Sequence, residues 1–242
     1  MVKKLEIALV GYGKMGKMIE KVAIKRGHAI VAKINTESGK KDWEKVAKAD
    51  VAIEFSMPAS AVKNIRKCAD LKVPIVVGTT GWYDKYDEVK AYCLKQKSAL
   101  LTATNFSIGV NLFFHLNKIL AQAMENLPEY DVTIEEVHHT QKLDAPSGTA
   151  ITIAQGILAE LSRKTKWALK EKSKKESDLA VKAIRKDDVP GTHIVKYSSE
   201  IDDIEIRHTA HNRSGFAIGA VLAAEWIHDK KGCFTINDII GF

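Results

Sequence analysis

A chain of 242 residues, 45% hydrophobic and 28% charged, is long enough to bury one large core or two modest ones. Its 37 basic against 30 acidic residues leave a formal charge of +7, which suits nucleic acid, an acidic membrane surface or a small anionic ligand. No apolar run approaches the roughly 20 residues of a membrane span, residues 1–10 lack the cleavage site of a signal peptide, and three widely spaced cysteines make no disulfide framework, so a cytoplasmic protein with reduced thiols is expected.

Short β-rich runs at 7–10, 29–34, 51–55, 74–77 and 99–102 alternate with helical spacing at 15–25, 59–69 and 83–94. Strands separated by helices predict an α/β domain with a Rossmann-type, doubly wound parallel sheet, and Pro58 stands where a proline opens a helix. Beyond Asn105 the pattern changes. A helix over 110–124, an alternating strand over 130–137, a second helix over 149–161 and strands over 193–199 and 204–210 predict an inserted α+β domain with an open mixed sheet. The basic stretch 163–186 reads as a solvated connection. Residues 216–228 resemble the helices of the first half, so the chain returns there, giving one domain from 1–105 plus 214–242 and another from 106–213.

Directly after the first strand, Gly11-Tyr12-Gly13-Lys14-Met15-Gly16 reads G-x-G-x-x-G. Glycines there permit a tight turn and close approach of backbone to a pyrophosphate, and the helix that follows offers free amides and a positive dipole end. At the end of the second strand, Asn35 takes the place of the carboxylate that would bind the ribose hydroxyls of NADH. Lys33, with Lys40 and Lys41 nearby, could accept the 2′-phosphate of NADPH, while Glu37 could reach a ribose, so NADPH is favoured and NADH stays open. Gly78-Thr79-Thr80-Gly81 follows the fourth strand at the carboxyl edge, where open α/β sheets bind ligands; it also suits a plain turn.

The densest chemistry lies in Glu135-Glu136-Val137-His138-His139-Thr140-Gln141-Lys142-Leu143-Asp144-Ala145-Pro146-Ser147-Gly148-Thr149-Ala150. Alternation puts His138 on the face of Val132 and Ile134 and His139 on the other. An imidazole exchanges protons near neutrality, and Lys142 adds a cation that could donate a proton or hold a carboxylate. Ser147-Gly148-Thr149 stands where a helix begins, so its amides and hydroxyl could bind a carboxylate, or Ser147 could simply cap the helix. A serine nucleophile lacks its G-x-S-x-G elbow, and His138, His139, His208 and His211 show no zinc-ligand spacing, so no metal is expected.

The run 138–150 resembles the H-H-x-x-K-x-D-A-P-S-G-T-A signature of the 4-hydroxy-tetrahydrodipicolinate (dihydrodipicolinate) reductase family. Residues 78–81, 103–111 and 213–220 resemble further family motifs in the family's order, so the likeness spans nearly the whole chain. It implies reduction of a small cyclic dicarboxylate, formed by loss of water from its hydroxylated precursor, by NADPH or NADH in lysine and diaminopimelate synthesis. By the same resemblance His138 is the general acid/base and Lys142 the proton donor, while His139, Lys142, Gly148, Thr149 and Arg213 hold substrate. The cofactor would meet Gly11, Gly13, Lys14, Met15, Gly16, Lys33, Asn35, Gly78, Thr79, Thr80 and the segment Ala103, Thr104, Asn105, Phe106. The resemblance further implies a hinge near Asn105 and Arg213 and a homotetramer formed through the second domain, with no membrane. The chain departs from the family in a glycine loop one residue tighter than in many relatives, in Asn35, and in Thr209 and Asn212. Two rivals remain: another Rossmann oxidoreductase of amino-acid metabolism, which lacks the 138–150 signature, and a nucleic-acid-binding protein, for which no aromatic interleaving or motif speaks.

Overall fold

Glu6–Val10 (β1) places four consecutive buried side chains after one exposed glutamate, the pattern of a strand covered on both faces. Val51–Glu54 (β3), Ile75–Val77 (β4) and Ala99–Thr102 (β5) are buried throughout. With Ala29–Ile34 (β2) and Gly232–Thr235 (β11) they form one sheet in the order β11-β5-β4-β3-β1-β2, parallel at every pairing.

Successive side chains leave by opposite faces, and each face has its own helical layer. Ile7, Leu9, Ile53, Val76 and Leu101 pack with Ile19 and Ala23 of Lys14–Lys25 (α1) and with the alanine-rich Ser214–Ile227 (α7). Ala8, Val10, Ala52, Ile75 and Leu100 pack with Lys40–Val46 (α2), Pro58–Asp70 (α3) and Tyr86–Lys95 (α4) through Trp43, Ile65 and Val89. Pro58 opens α3 as expected. The helix over 83–94 is split, a single 3-10 turn at Tyr83–Lys85 preceding α4. The strand order reverses between β1 and β3, so the carboxyl ends of those two strands frame the crevice where such sheets take ligands.

The described residues are 3–241, and the chain divides into Met1–Ile108 with Ser214–Phe242 and Gly109–Arg213. In the second unit, Asp131–His138 (β6), Lys166–Leu169 (β7), Asp178–Arg185 (β8), Gly191–Ser198 (β9) and Asp203–Ala210 (β10) form a sheet ordered β10-β9-β6-β8-β7. β6, β7 and β8 run parallel, while β9 and β10 run antiparallel to their neighbours. One face is covered by Ile108–Met124 (α5) and Gly148–Leu158 (α6), through Phe113, Met124, Ile153 and Ile157 against Val132, Ile134, Val181 and Tyr197.

The stretch 163–186 is thus not a solvated connection: it supplies β7 and β8, and β8 lies inside the sheet. Leu179 and Val181 enter the core while Lys182 points outward to Glu135, 2.9 Å away. Even the buried Lys164 is matched, to Asp131 Oδ1 and the Glu176 carbonyl at 2.6 Å each. α2, β11 and the short helix Ile236–Ile240 (α8) also escape the sequence patterns, each being brief.

α7 lies so close to the chain after β5 that a Cβ at Gly219 would sit 1.7 Å from the Phe106 carbonyl oxygen. Gly219→Ala should cost about 1–3 kcal/mol by urea unfolding, the usual penalty of overpacking. Gly215→Ala, whose Cβ would meet nothing nearer than Ser107 Oγ at 3.5 Å, is the control, and equal losses in the two variants would contradict the close approach.

Candidate active site

The glycine loop is shaped by its neighbours. Gly11 has φ +95°, and a Cβ there would lie 2.2 Å from the Phe55 carbonyl oxygen; one at Gly16 would lie 2.5 Å from the Gly11 carbonyl. Gly13 caps α1 without any side-chain hydrogen bond and has nothing within 4 Å of its Cβ position. Lys14 and Met15 form the first turn behind it. A tight turn, a bare helix N-terminus and open space before it fit the pyrophosphate of a dinucleotide.

At the end of β2, Lys33 Nζ pairs with Glu20 at 2.7 Å and lies 4.6 Å from the centre of the Tyr12 ring, whose hydroxyl also bonds Glu20. Hydrogen bonds from Lys33 and Tyr12 hold the Glu20 carboxyl below its usual range. Asn35 is engaged as well: its Oδ1 accepts from the Glu37 amide at 2.9 Å and from the Ser38 hydroxyl.

The Gly78 turn owes its glycine to packing, since a Cβ would strike the Phe55 ring at 2.1 Å. Thr79 is buried, and its Oγ1 accepts from the Ser56 amide at 2.8 Å, tying the turn to the end of β3; Thr80 is exposed. Burial raises the pKa of Glu54, which bonds Ser56 and Asn64 beneath that turn. Beyond β5, Ala103 and Phe106 are buried, the Phe106 ring 5.7 Å from Phe55, while Thr104 is exposed and Asn105 accepts from the Ser107 amide. Ala103, Thr79 and Phe106 can therefore offer a ligand backbone more readily than side chain.

In the second unit β6 alternates as read: Val132, Ile134, Glu136 and His138 are buried on one face. The sequence patterns missed what surrounds His138. Glu136 has no solvent exposure, and its two oxygens each accept from the Ser147 amide at 3.1 Å. Arg185, at the end of β8, donates from Nη2 to Glu136 at 3.2 Å and to the Asp144 carbonyl at 2.6 Å, and from Nε to the Lys142 carbonyl at 3.2 Å. The loop between β6 and α6 is thus held from β6 and β8 together.

Burial lowers the pKa of His138, with Glu136 opposing that fall and Lys142, Arg185 and His139 adding to it. His193 on β9, 5.1 Å away ring to ring, is pushed down to about 3, first by burial and then by the charge of its neighbours. One donor atom from each of Glu136, His138 and His193 lies within 4.8 Å of the other two. The Arg185 guanidinium donates to the same Glu136 carboxylate and so partly offsets its buried charge.

Lys142 Nζ pairs with both oxygens of Asp144 at 2.8 Å, which lowers the Asp144 pKa. Ser147 caps α6 by accepting from the Ala150 amide at 3.2 Å, and among the described residues no protein acceptor takes the amides of Gly148 and Thr149. Both readings of Ser147-Gly148-Thr149 are therefore compatible, since the serine caps the helix and the next two amides stay open. His139 and Arg213 come together with Thr140, Gln141, Asp187 and His211 around a cleft of about 500 Å³.

A model of the family described as dihydrodipicolinate reductase, N-terminus, matches residues 5–106, and its C-terminus counterpart matches residues 109–240. The chain belongs to the dihydrodipicolinate reductase family. It is 50% identical over 236 residues to the 4-hydroxy-tetrahydrodipicolinate reductase of Christiangramia forsetii, covering 98% of each chain. It is 37% identical to that of Methanoregula boonei, over 80% of this chain and 76% of the relative. The fold matches the dihydrodipicolinate reductase of Paenisporosarcina sp. TG-14, solved with dipicolinate bound, at a TM-score of 0.81 and 21% identity, over 98% of this chain and all of that one. The protein is accordingly an NAD(P)-dependent oxidoreductase with a Rossmann-type unit and a second, mixed-sheet unit, as its sequence motifs indicated. No helix of the described residues is long and apolar enough to cross a membrane.

Arg185 is the residue that clamps the reductase's 142–147 loop from outside. Arg185→Lys keeps the charge but cannot reach three acceptors with one planar fork. Amide hydrogen exchange over 142–147 should quicken by about tenfold, the equivalent of one charged hydrogen bond, with β6 and β9 still protected. Unchanged exchange in that loop would show that the clamp is dispensable.

Proposed function

We propose that this reductase converts 4-hydroxy-tetrahydrodipicolinate, through loss of water to dihydrodipicolinate, into tetrahydrodipicolinate in the lysine and diaminopimelate pathway. The observation that carries this is the loop held by Glu136 and Arg185, which gathers His138, Lys142 and the open amides of Gly148 and Thr149 in one unit. Dinucleotide binding belongs to the unit formed by residues 1–105 plus 214–242, and substrate binding and self-association to residues 106–213.

NADPH, or NADH, supplies the hydride. Its pyrophosphate rests on Gly11, Gly13, Lys14, Met15 and Gly16, and its nicotinamide end meets Gly78, Thr79, Thr80 and the backbone of Ala103, Thr104, Asn105 and Phe106. Lys33 and Asn35 face the adenosine ribose, so a 2′-phosphate competes with Glu20 for the Lys33 ammonium.

A planar dicarboxylate needs donors for both carboxylates. The amides of Gly148 and Thr149, backed by the α6 dipole, take one. His139, Lys142 and Arg213 supply the cationic field for the other and for the charge that develops on the ring. Lys142 leaves Asp144 when substrate arrives, and its Nζ delivers the proton that follows the hydride. His138, buried and pushed towards the neutral imidazole, gives and takes protons at the ring. The enzyme works in the cytoplasm as a homotetramer assembled through the mixed sheet.

The test couples the freshly made product of the upstream aldol condensation to the enzyme and follows nicotinamide absorbance with NADPH and NADH in parallel. Wild type should oxidise cofactor only with substrate present. His138→Gln and Lys142→Ala should each lower kcat by roughly a hundred- to ten-thousand-fold, the range for loss of a general acid or base. A folded wild type that binds nucleotide but leaves the substrate untouched would overturn the proposal.

A further inference from the structure

Glu136 has no part in the roles given above, yet it is the most enclosed charged side chain around His138. It lies two residues before His138 on the same face of β6, with no solvent exposure, and His138 Nδ1 stands 3.4 Å from its Oε2. That nitrogen is buried and has no hydrogen-bond partner. On its other side, Nε2 faces the backbone, for a Cβ at Gly191 would sit 3.0 Å from it. The imidazole therefore lies against β9 and turns towards the carboxylate a buried nitrogen that has no hydrogen-bond partner.

We propose that Glu136 is the positioning residue of this site: its buried carboxylate orients the His138 imidazole, holds it as imidazolium when it carries a proton, and ties it to the Ser147-Gly148-Thr149 turn. The last link is direct, because the same two oxygens accept from the Ser147 amide. One carboxylate thus sets both the proton-handling group and the start of the helix whose amides are open to a ligand.

The charged and titratable groups that face His138 are Glu136 on its own strand, His139 and Lys142 on the loop that follows, Arg185 from β8 and His193 from β9. Lys142, Arg185 and His139 all disfavour the imidazolium, as does burial, and Glu136 alone among them favours it. His193 stays neutral, at about 3, and meets Ser147 Oγ at 3.2 Å. Without the Glu136 charge, His138 would be left in a field that is entirely positive. An opposite charge within about 4–6 Å moves a pKa by roughly one to three units.

The inference rests on reading His138 as the proton-handling residue, so its test has a readout that does not depend on turnover. The full-length enzyme, labelled at its histidines, is titrated by NMR, with the His138 resonance assigned by its loss in His138→Gln. Glu136→Gln should move the His138 midpoint to lower pH by about one unit or more. Glu136→Asp, which keeps the charge and withdraws it by one methylene, should move it the same way but less, and this variant decides the matter if the Gln form does not fold. The limb of kcat/KM against pH that belongs to His138 should shift in parallel. The direction is the same whether the histidine acts as acid or base, because the limb follows the midpoint.

A His138 midpoint unchanged in Glu136→Gln, or in Glu136→Asp if that is the folded variant, would overturn the proposal and leave Glu136 a structural tie to Ser147. A midpoint that moves while the kcat/KM profile stays fixed would uphold the role of Glu136 and remove His138 from the proton transfer instead.

Discussion

A carboxylate withdrawn wholly from water must be matched by donors or abandon its charge. Glu136 is matched by the Ser147 amide and the Arg185 guanidinium, with two histidine rings beside it. Because Arg185 also grips the carbonyls of Lys142 and Asp144, the carboxylate fixes more than itself. It determines where β6 ends, how the loop leaves the sheet and where α6 begins. The placement of His138, Lys142 and the α6 amides all descends from that single satisfied charge.

The dinucleotide unit reaches its geometry by another route. There the constraint is space: at Gly11, Gly16, Gly78 and Gly219 a β-carbon would collide with backbone or with the Phe55 ring. The sheet is buried on both faces, and its turns are compressed against one another at the β1 and β3 ends. Close approach of backbone leaves only amides and open space before α1, a surface that suits a phosphate better than a side chain.

Much of this was legible in the sequence where the signal was local. Alternation of β runs with helical spacing located β1 to β5, α1, α3 and α4 to within a few residues, and the β6 alternation put His138 inside. The 138–150 signature and the glycine loop pointed to the family. What escaped depended on partners distant in sequence. β8 was hidden because Leu179 and Val181 are embedded among lysines that reach outward. Arg185 in that same stretch looked like surface charge, although it lies against a glutamate 49 residues earlier. Glu136 carried one detectable hint, an acidic residue on the apolar face of an alternating strand, two positions before the histidine.

The same contrast bears on cofactor choice. The sequence offered Lys33 and Asn35 as candidates to face the ribose, but their partners, Glu20, Tyr12 and Ser38, come from α1, the glycine loop and the turn after β2. Under the proposed function, preference between NADPH and NADH turns on how readily a 2′-phosphate displaces the Glu20 carboxylate from Lys33, a competition between two anions for one ammonium.

The most direct measurement of whether the 136–149 passage holds the substrate is an amide NMR titration of the full-length enzyme, in the presence of cofactor, with pyridine-2,6-dicarboxylate as a planar dicarboxylate probe. Saturable shifts should concentrate at His138, His139, Lys142, Gly148 and Thr149, and Lys142→Ala should weaken the affinity by about tenfold, the worth of one charged hydrogen bond. Saturable binding that leaves the Gly148 and Thr149 amides unmoved would contradict the assignment of this loop as the dicarboxylate site.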